Sequence, residues 1–244
     1  MRARFWEIDF LRGIAVIMMV VFHFLFNLSF FTGFAVVVSA GFWFWFARIT
    51  ASIFVFLAGT ALSISNARAL PEKENTGKKF FLRGARIFCY GLAITAITWI
   101  FFPEEFIVFG VLHFMGVSII IAQPFLKWKL KNLFLGAIVI IAGIFLQSLA
   151  FGFSWLLWLG FLPQNFASFD YFPLLPWFGI ILFGIFAGKH LYPLGKRGFS
   201  IRELGNKIFA KQLCWIGRHS LIIYFLHQPI LIAVILTARQ FALF

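Results

Sequence analysis

Apolar windows long enough to cross a bilayer recur along the chain, separated by short stretches rich in basic or turn-forming residues. A spanning helix needs about 20 mostly apolar residues. The pattern predicts seven, at roughly 10–31, 44–65, 80–101, 107–126, 131–150, 173–189 and 216–238. The stretch 151–171, with Trp155, Trp158, Pro163 and Gln164, fits none of them. It reads as an interfacial helix, a re-entrant segment or an extension of the fifth helix. The expected fold is all-α: a polytopic transmembrane helix bundle of about seven spanning helices, forming one domain over 1–244.

Composition sharpens this reading. Of the 244 residues 62% are apolar and only 12% charged, about half the charged share of a soluble domain, and too few to clothe a globule in water. The apolar run from Gly13 to Phe31 exceeds the core of a signal peptide and is expected to stay as a helix. The formal charge of +13 invites a nucleic-acid partner, but the positions of the basic residues argue against one. With the amino terminus in the cytoplasm, all of the 21 except Arg48 and Arg239 fall in inner loops or inner helix ends, the set running from Arg2, Arg4 and Arg12 through Lys73 to Arg218. The outer side holds Glu104, Glu105 and Asp170, and Trp43 to Phe46 suits an interfacial aromatic belt. A multi-pass protein of the cell membrane, in contact with its lipids, is therefore expected. Cys89 and Cys214 are both placed near the cytoplasmic side, where disulfides are rare, and no metal site is indicated.

Ionisable side chains inside spanning helices are costly and mark candidate sites. His23 lies roughly 16 Å along its helix from Arg12, and His227 roughly 13 Å from Arg218, so both approach mid-membrane. His113 is placed nearer the outer face. Each of the three is also satisfied by a purely structural role, with one donor and one acceptor. Asn27 shares a face with His23 one turn on, and Ser220, Tyr224 and His227 form one stripe. At the inner surface Asp9 and Arg12 can pair, and Arg83 and Arg86 present two guanidinium groups able to clamp phosphate oxygens or simply to contact lipid headgroups. Gly184 and Gly188 form a GxxxG pair that permits close helix contact, within the chain or in a homodimer.

The residues also carry a family resemblance. Arg4-Phe-Trp-Glu-Ile-Asp9-Phe-Leu-Arg12-Gly13, continuing to Met18-Met-Val-Val-Phe-His23, resembles the signature of the heparan-alpha-glucosaminide N-acetyltransferase catalytic domain family. Phe54 to Gly59, Gly110-Val-Leu-His113-Phe-Met-Gly116 and Asp170-Tyr-Phe-Pro-Leu-Leu-Pro176-Trp177-Phe-Gly179 match further stretches in the expected order. The spacing Arg12 to His23, the pair Arg83-Gly-Ala-Arg86 and the run His219 to Pro229 are similar to motifs of membrane acyltransferases of the acyltransferase-three type. One departure stands out: the lysosomal member of the first family is understood to use a histidine in the loop after its first helix, and 27–48 contains none.

The resemblance implies acetyl-CoA as co-substrate, bound from the cytoplasm, and an amine or hydroxyl acceptor such as a glycan, a lipid-linked sugar or a small amine. It implies Arg12, Arg83 and Arg86 on the donor's phosphates, with Asp9 orienting Arg12. His23, supported by Asn27, acts as general base or forms a transient acetyl-imidazole. His113, Asp170, Tyr224 and His227 are candidates for the acceptor side. The competing expectations are a carrier or flippase for an anionic lipid or small solute, whose arginines bind headgroups while histidines relay protons, and a non-catalytic partner subunit.

Overall fold

The computed structural model describes residues 4–69, 75–205 and 207–241. Arg2 and Lys73, assigned above to the inner side, lie outside the described residues. Among the described residues there are eight α-helices and no strand: α1 (Trp6–Thr32), α2 (Gly41–Ala69), α3 (Thr76–Phe101), α4 (Val111–Ile121), α5 (Leu130–Gln147), α6 (Leu174–Leu191), α7 (Ile208–Arg218) and α8 (Ser220–Gln240). Six of these, all but α4 and α7, are long and apolar enough to cross a membrane. The chain forms two compact units, one running to Phe54 and resuming at Ile201, the other comprising Val55–Ser200.

In the first unit α1 is the central element. Glu7 and Asp9 in its first turn favour the positive end of the helix dipole. Gly33 ends the helix in the left-handed conformation (φ 71°), its N–H returning to the Ser29 carbonyl at 3.0 Å. α8 runs beside α1 in the same direction: His227 meets His23, Gln228 meets Asn27, and Arg239 Nη1 donates to the Phe31 carbonyl at 2.9 Å. Arg239 thereby satisfies one of the last carbonyls of α1, which have no partner within their own helix. α4, at 11 residues, covers only about 16 Å, and a 3-10 turn over Pro124–Lys127 follows it. The helix expected at 107–126 is thus shorter, bounded by Gly110 and by the turn at Pro124.

The helix expected at 216–238 is in fact two, α7 and α8, parted at His219. α7 buries Ala210, Leu213, Cys214 and Gly217. A Cβ on Gly13 would run into the Leu213 carbonyl and one on Gly217 into the Asp9 carbonyl. Glycine at both positions lets the backbones of α1 and α7 touch, and the Cys214 thiol donates to the Trp6 carbonyl at 3.3 Å.

In the second unit α3 and α4 pack antiparallel, as do α5 and α6, while α6 runs parallel to the second half of α2. The GxxxG glycines face α2: a side chain on Gly184 would meet the Phe56 carbonyl, and one on Gly188 would come within 2.9 Å of the Thr60 carbonyl. Thr60 Oγ1 lies 3.1 Å from the Gly184 carbonyl, sealing the crossing with a polar bond. This motif therefore serves contact within the chain. The segment 151–171 contains a 3-10 turn over Leu157–Leu159 and is folded back by the Phe151 N–H, which donates to the Leu162 carbonyl at 2.8 Å. It is neither an α-helix nor an extension of α5.

These close approaches predict an asymmetry among glycines. Gly217→Val should cost about 1–3 kcal/mol by overpacking against α1, read as a lowered midpoint of thermal unfolding in detergent. Gly152→Val, where a side chain meets nothing within 4 Å, should leave the midpoint unchanged.

Candidate functional site

In the first unit two polar pairs cross from α1 to α8. Asn27, 3% exposed, donates through Nδ2 to Gln228 Oε1 at 2.6 Å. One turn nearer the amino end, His23 Nδ1 lies 3.1 Å from His227 Nε2. The protons of this imidazole pair follow from its surroundings. His227 Nδ1 sits 2.7 Å from the Tyr224 carbonyl and 3.2 Å from that of Ile223. Carbonyls only accept, so Nδ1 of His227 carries the hydrogen and its Nε2, in the neutral ring, is an acceptor. His23 must then donate from Nδ1. The basic lone pair of His23 falls on Nε2, the nitrogen that takes no part in the pair. A backbone contact to Met19 one turn back steadies the ring, and the Tyr224 ring lies against His227 at 5.6 Å between centroids.

The amino end of α1 carries charge. Asp9 is 7% exposed, with Arg12 Nη1 at 3.5 Å and Arg4 Nη1 at 4.0 Å from its carboxylate oxygens. Arg218 Nε donates to the Cys214 carbonyl at 3.1 Å. Burial, reinforced by the Asp9 charge, pushes the Cys214 thiol above its ordinary range, which keeps it protonated and unreactive. Both cysteines are free. Among the described residues no three His, Cys, Asp or Glu side chains gather as metal ligands.

The second unit holds the remaining candidates. Arg83 and Arg86 are exposed on the first turns of α3, whose start is capped by Asn75 Oδ1 accepting the Lys78 N–H. Among the described residues neither guanidinium has a hydrogen bond or an ion pair, so both are available to an anion. His113 is different. It is 2% exposed, its Nδ1 accepts the Gly110 N–H at 3.2 Å, and its Nε2 therefore carries the hydrogen directed at Thr95 Oγ1, 3.3 Å away. Thr95 in turn donates to the Ile107 carbonyl at 2.6 Å. Both nitrogens of His113 are thus spent on fastening the turn between α3 and α4. The ring fills the space left by Gly91, where a Cβ would come within 2.9 Å of it.

Asp170 accepts the Val111 N–H at 2.9 Å, so a loop carboxylate caps the start of α4. Burial raises its pKa to about 6 against that hydrogen bond. The neighbouring Tyr171 is likewise pushed up by burial, and its hydroxyl donates to the Leu157 carbonyl at 2.7 Å. Of the sequence candidates, the structure gathers His23, Asn27, Tyr224 and His227 in one place and joins Asp9 to Arg12. It puts His113 and Asp170 in the network around the start of α4. Gln228 and Thr95 were not anticipated. Gln228 adjoins His227, and a second amide beside an intramembrane histidine was the signal that could have found it.

These features define a multi-pass membrane protein with an imidazole pair at the contact of its first and last helices. The model of the heparan-alpha-glucosaminide N-acetyltransferase catalytic domain matches residues 4–229, and the chain belongs to that family. Comparison with curated proteins and with solved structures gave no match.

Asp170 sets a pH dependence of stability. Because its folded pKa lies above the ordinary 3.8, the folded chain takes up a proton before the unfolded chain does. Ionised Asp170 is a cost at neutral pH that is relieved as pH falls through about 6. Asp170→Asn, which keeps an acceptor for Val111, should be more stable than the wild type at pH 7. That advantage should vanish towards pH 4 in thermal unfolding measured across the range.

Proposed function

We propose that this chain is an acetyl-CoA-dependent membrane acetyltransferase that acylates an amine, of the kind presented by a terminal glucosaminide, with His23 Nε2 as the general base. The observation that carries the reading is the imidazole pair, within a chain whose family is that of an N-acetyltransferase catalytic domain. An imidazole with one nitrogen committed and the other holding its lone pair has the geometry of a proton acceptor. The attacking amine forms a bond to the acetyl carbonyl carbon and gives up a proton to His23 Nε2. The carbon–sulfur bond breaks, and the departing thiolate takes that proton back from His23. The amide and free CoA are the products, and the imidazole is regenerated.

His227 supports this cycle through its place behind His23. While Nε2 of His23 holds the transferred proton, the Nδ1–H bond to His227 becomes charge-assisted and strengthens. The carbonyls of Tyr224 and Ile223 hold His227 in the accepting tautomer. Arg83 and Arg86 suit the phosphates of the donor because each guanidinium donates in a bidentate fork and neither is spent on a carboxylate. Arg12 has the same chemistry but is held by Asp9, which orients it.

Turnover is read as thiol release from acetyl-CoA with glucosamine as probe acceptor. His23→Ala should lower kcat by about 100-fold or more while thermal stabilisation by CoA persists. The double variant R83Q/R86Q should raise KM for acetyl-CoA roughly tenfold and weaken that stabilisation correspondingly. Full turnover by His23→Ala would remove His23 from the reaction. A chain that CoA does not stabilise at all would favour a carrier of anionic solutes instead.

A further inference from the structure

α7 turns two unlike faces outward and inward. Its inner face is sealed on α1 by Gly217 and Leu213. At helical spacing the outer face carries three stripes, each made of residues two turns apart. Lys211 and Arg218 form one edge, extended by Lys207 at the helix start, and Phe209 and Ile216 form the opposite edge. Between them run Ile208 and Trp215. Ile208, Phe209 and Trp215 are 78%, 69% and 56% exposed, and a shallow groove passes over Ile208, Lys211, Gln212, Trp215 and Ile216. α7 itself contains no acidic residue.

The surroundings select the occupant. α7 leads directly into α8 and packs on the first turns of α1, and both spans expose apolar side chains near that end: Leu11 and Ile17 on α1, Leu221 and Ile222 on α8. The apolar edge of α7 therefore continues a surface that faces acyl chains. The basic edge lies beside the charged amino end of α1, where Arg218 is close enough to Asp9 for their charges to interact. A helix divided in this way lies in the membrane boundary, apolar edge to hydrocarbon and basic edge to headgroup phosphates.

We propose that the outer face of α7 is a docking surface for an anionic phospholipid. The phosphate is held by Lys207 and Lys211, and the acyl chains lie along Phe209, Ile208 and Trp215. This is independent of the acetyl-transfer reading, since no residue placed in that reaction is used. Bound lipid would stabilise the α1–α7 contact from outside and fix the point at which the chain enters α8.

The full chain in detergent is titrated with phosphatidylglycerol bearing brominated acyl chains. Quenching of tryptophan fluorescence is read against W215F to isolate the signal from Trp215, and phosphatidylcholine with the same chains is the control. Trp215 should be quenched at lower concentrations of phosphatidylglycerol than of phosphatidylcholine. K207Q/K211Q should weaken the phosphatidylglycerol response by about fivefold for each lysine removed and leave the phosphatidylcholine response unchanged, with far-UV circular dichroism reporting an intact fold. Equal responses to the two lipids would overturn the proposal. So would K127Q/K129Q, in the other unit, weakening the Trp215 signal as much as K207Q/K211Q. Protection of Trp215 by concentration-dependent pairing of chains would give the face to a second copy, and reversal of the quenching by inorganic phosphate would make it a phosphate site.

Discussion

A hydrogen-bonding side chain carried into hydrocarbon has no water to replace a missing partner, and the arrangement of α1 and α8 follows from that constraint. Imidazole pairs with imidazole and amide with amide, and a guanidinium closes the end of the neighbouring helix. Each contact fixes the register of the others, because a slip of one residue along either helix would separate both polar pairs at once. The same accounting that makes the polar groups affordable in lipid also decides where their protons reside. The two carbonyls behind His227 determine, through it, which nitrogen of His23 stays basic. Stability and chemical character thus rest on one set of bonds.

A second constraint is distance between backbones. Helices in lipid gain nothing from hiding apolar side chains from one another, so they associate through close packing. Here glycine provides it at both the α1–α7 and α2–α6 crossings. The polar network of the second unit works differently. His113, Thr95 and Asp170 form a chain of directional bonds that holds the turn at the start of short α4.

Much of the architecture could be read from the order of residues. The long spans follow from apolar length. The boundaries that moved did so for identifiable reasons. α1 begins at Trp6 and not near residue 10 because Glu7 and Asp9, both buried, suit a helix start. α7 went unseen because its lysines joined it to the basic segment before it, although its apolar residues recur at helical spacing. The histidines of α1 and α8 were legible as candidates, but not as partners: a single chain reveals which face of a helix a residue occupies, and not which helix it will meet. For His113 the sequence left ligand-lining and structural roles equal, and the structure gives both of its nitrogens a hydrogen-bond partner within the chain.

The contact between α1 and α8 also orders events during synthesis. The first span enters the bilayer with an imidazole and an amide that find their partners only on the last, after every intervening helix has been made. Until then those groups must be tolerated singly, at the translocon or against transient neighbours. A chain that ends before His227 carries neither partner, so both polar groups of the first helix stay unmet until the last helix is complete.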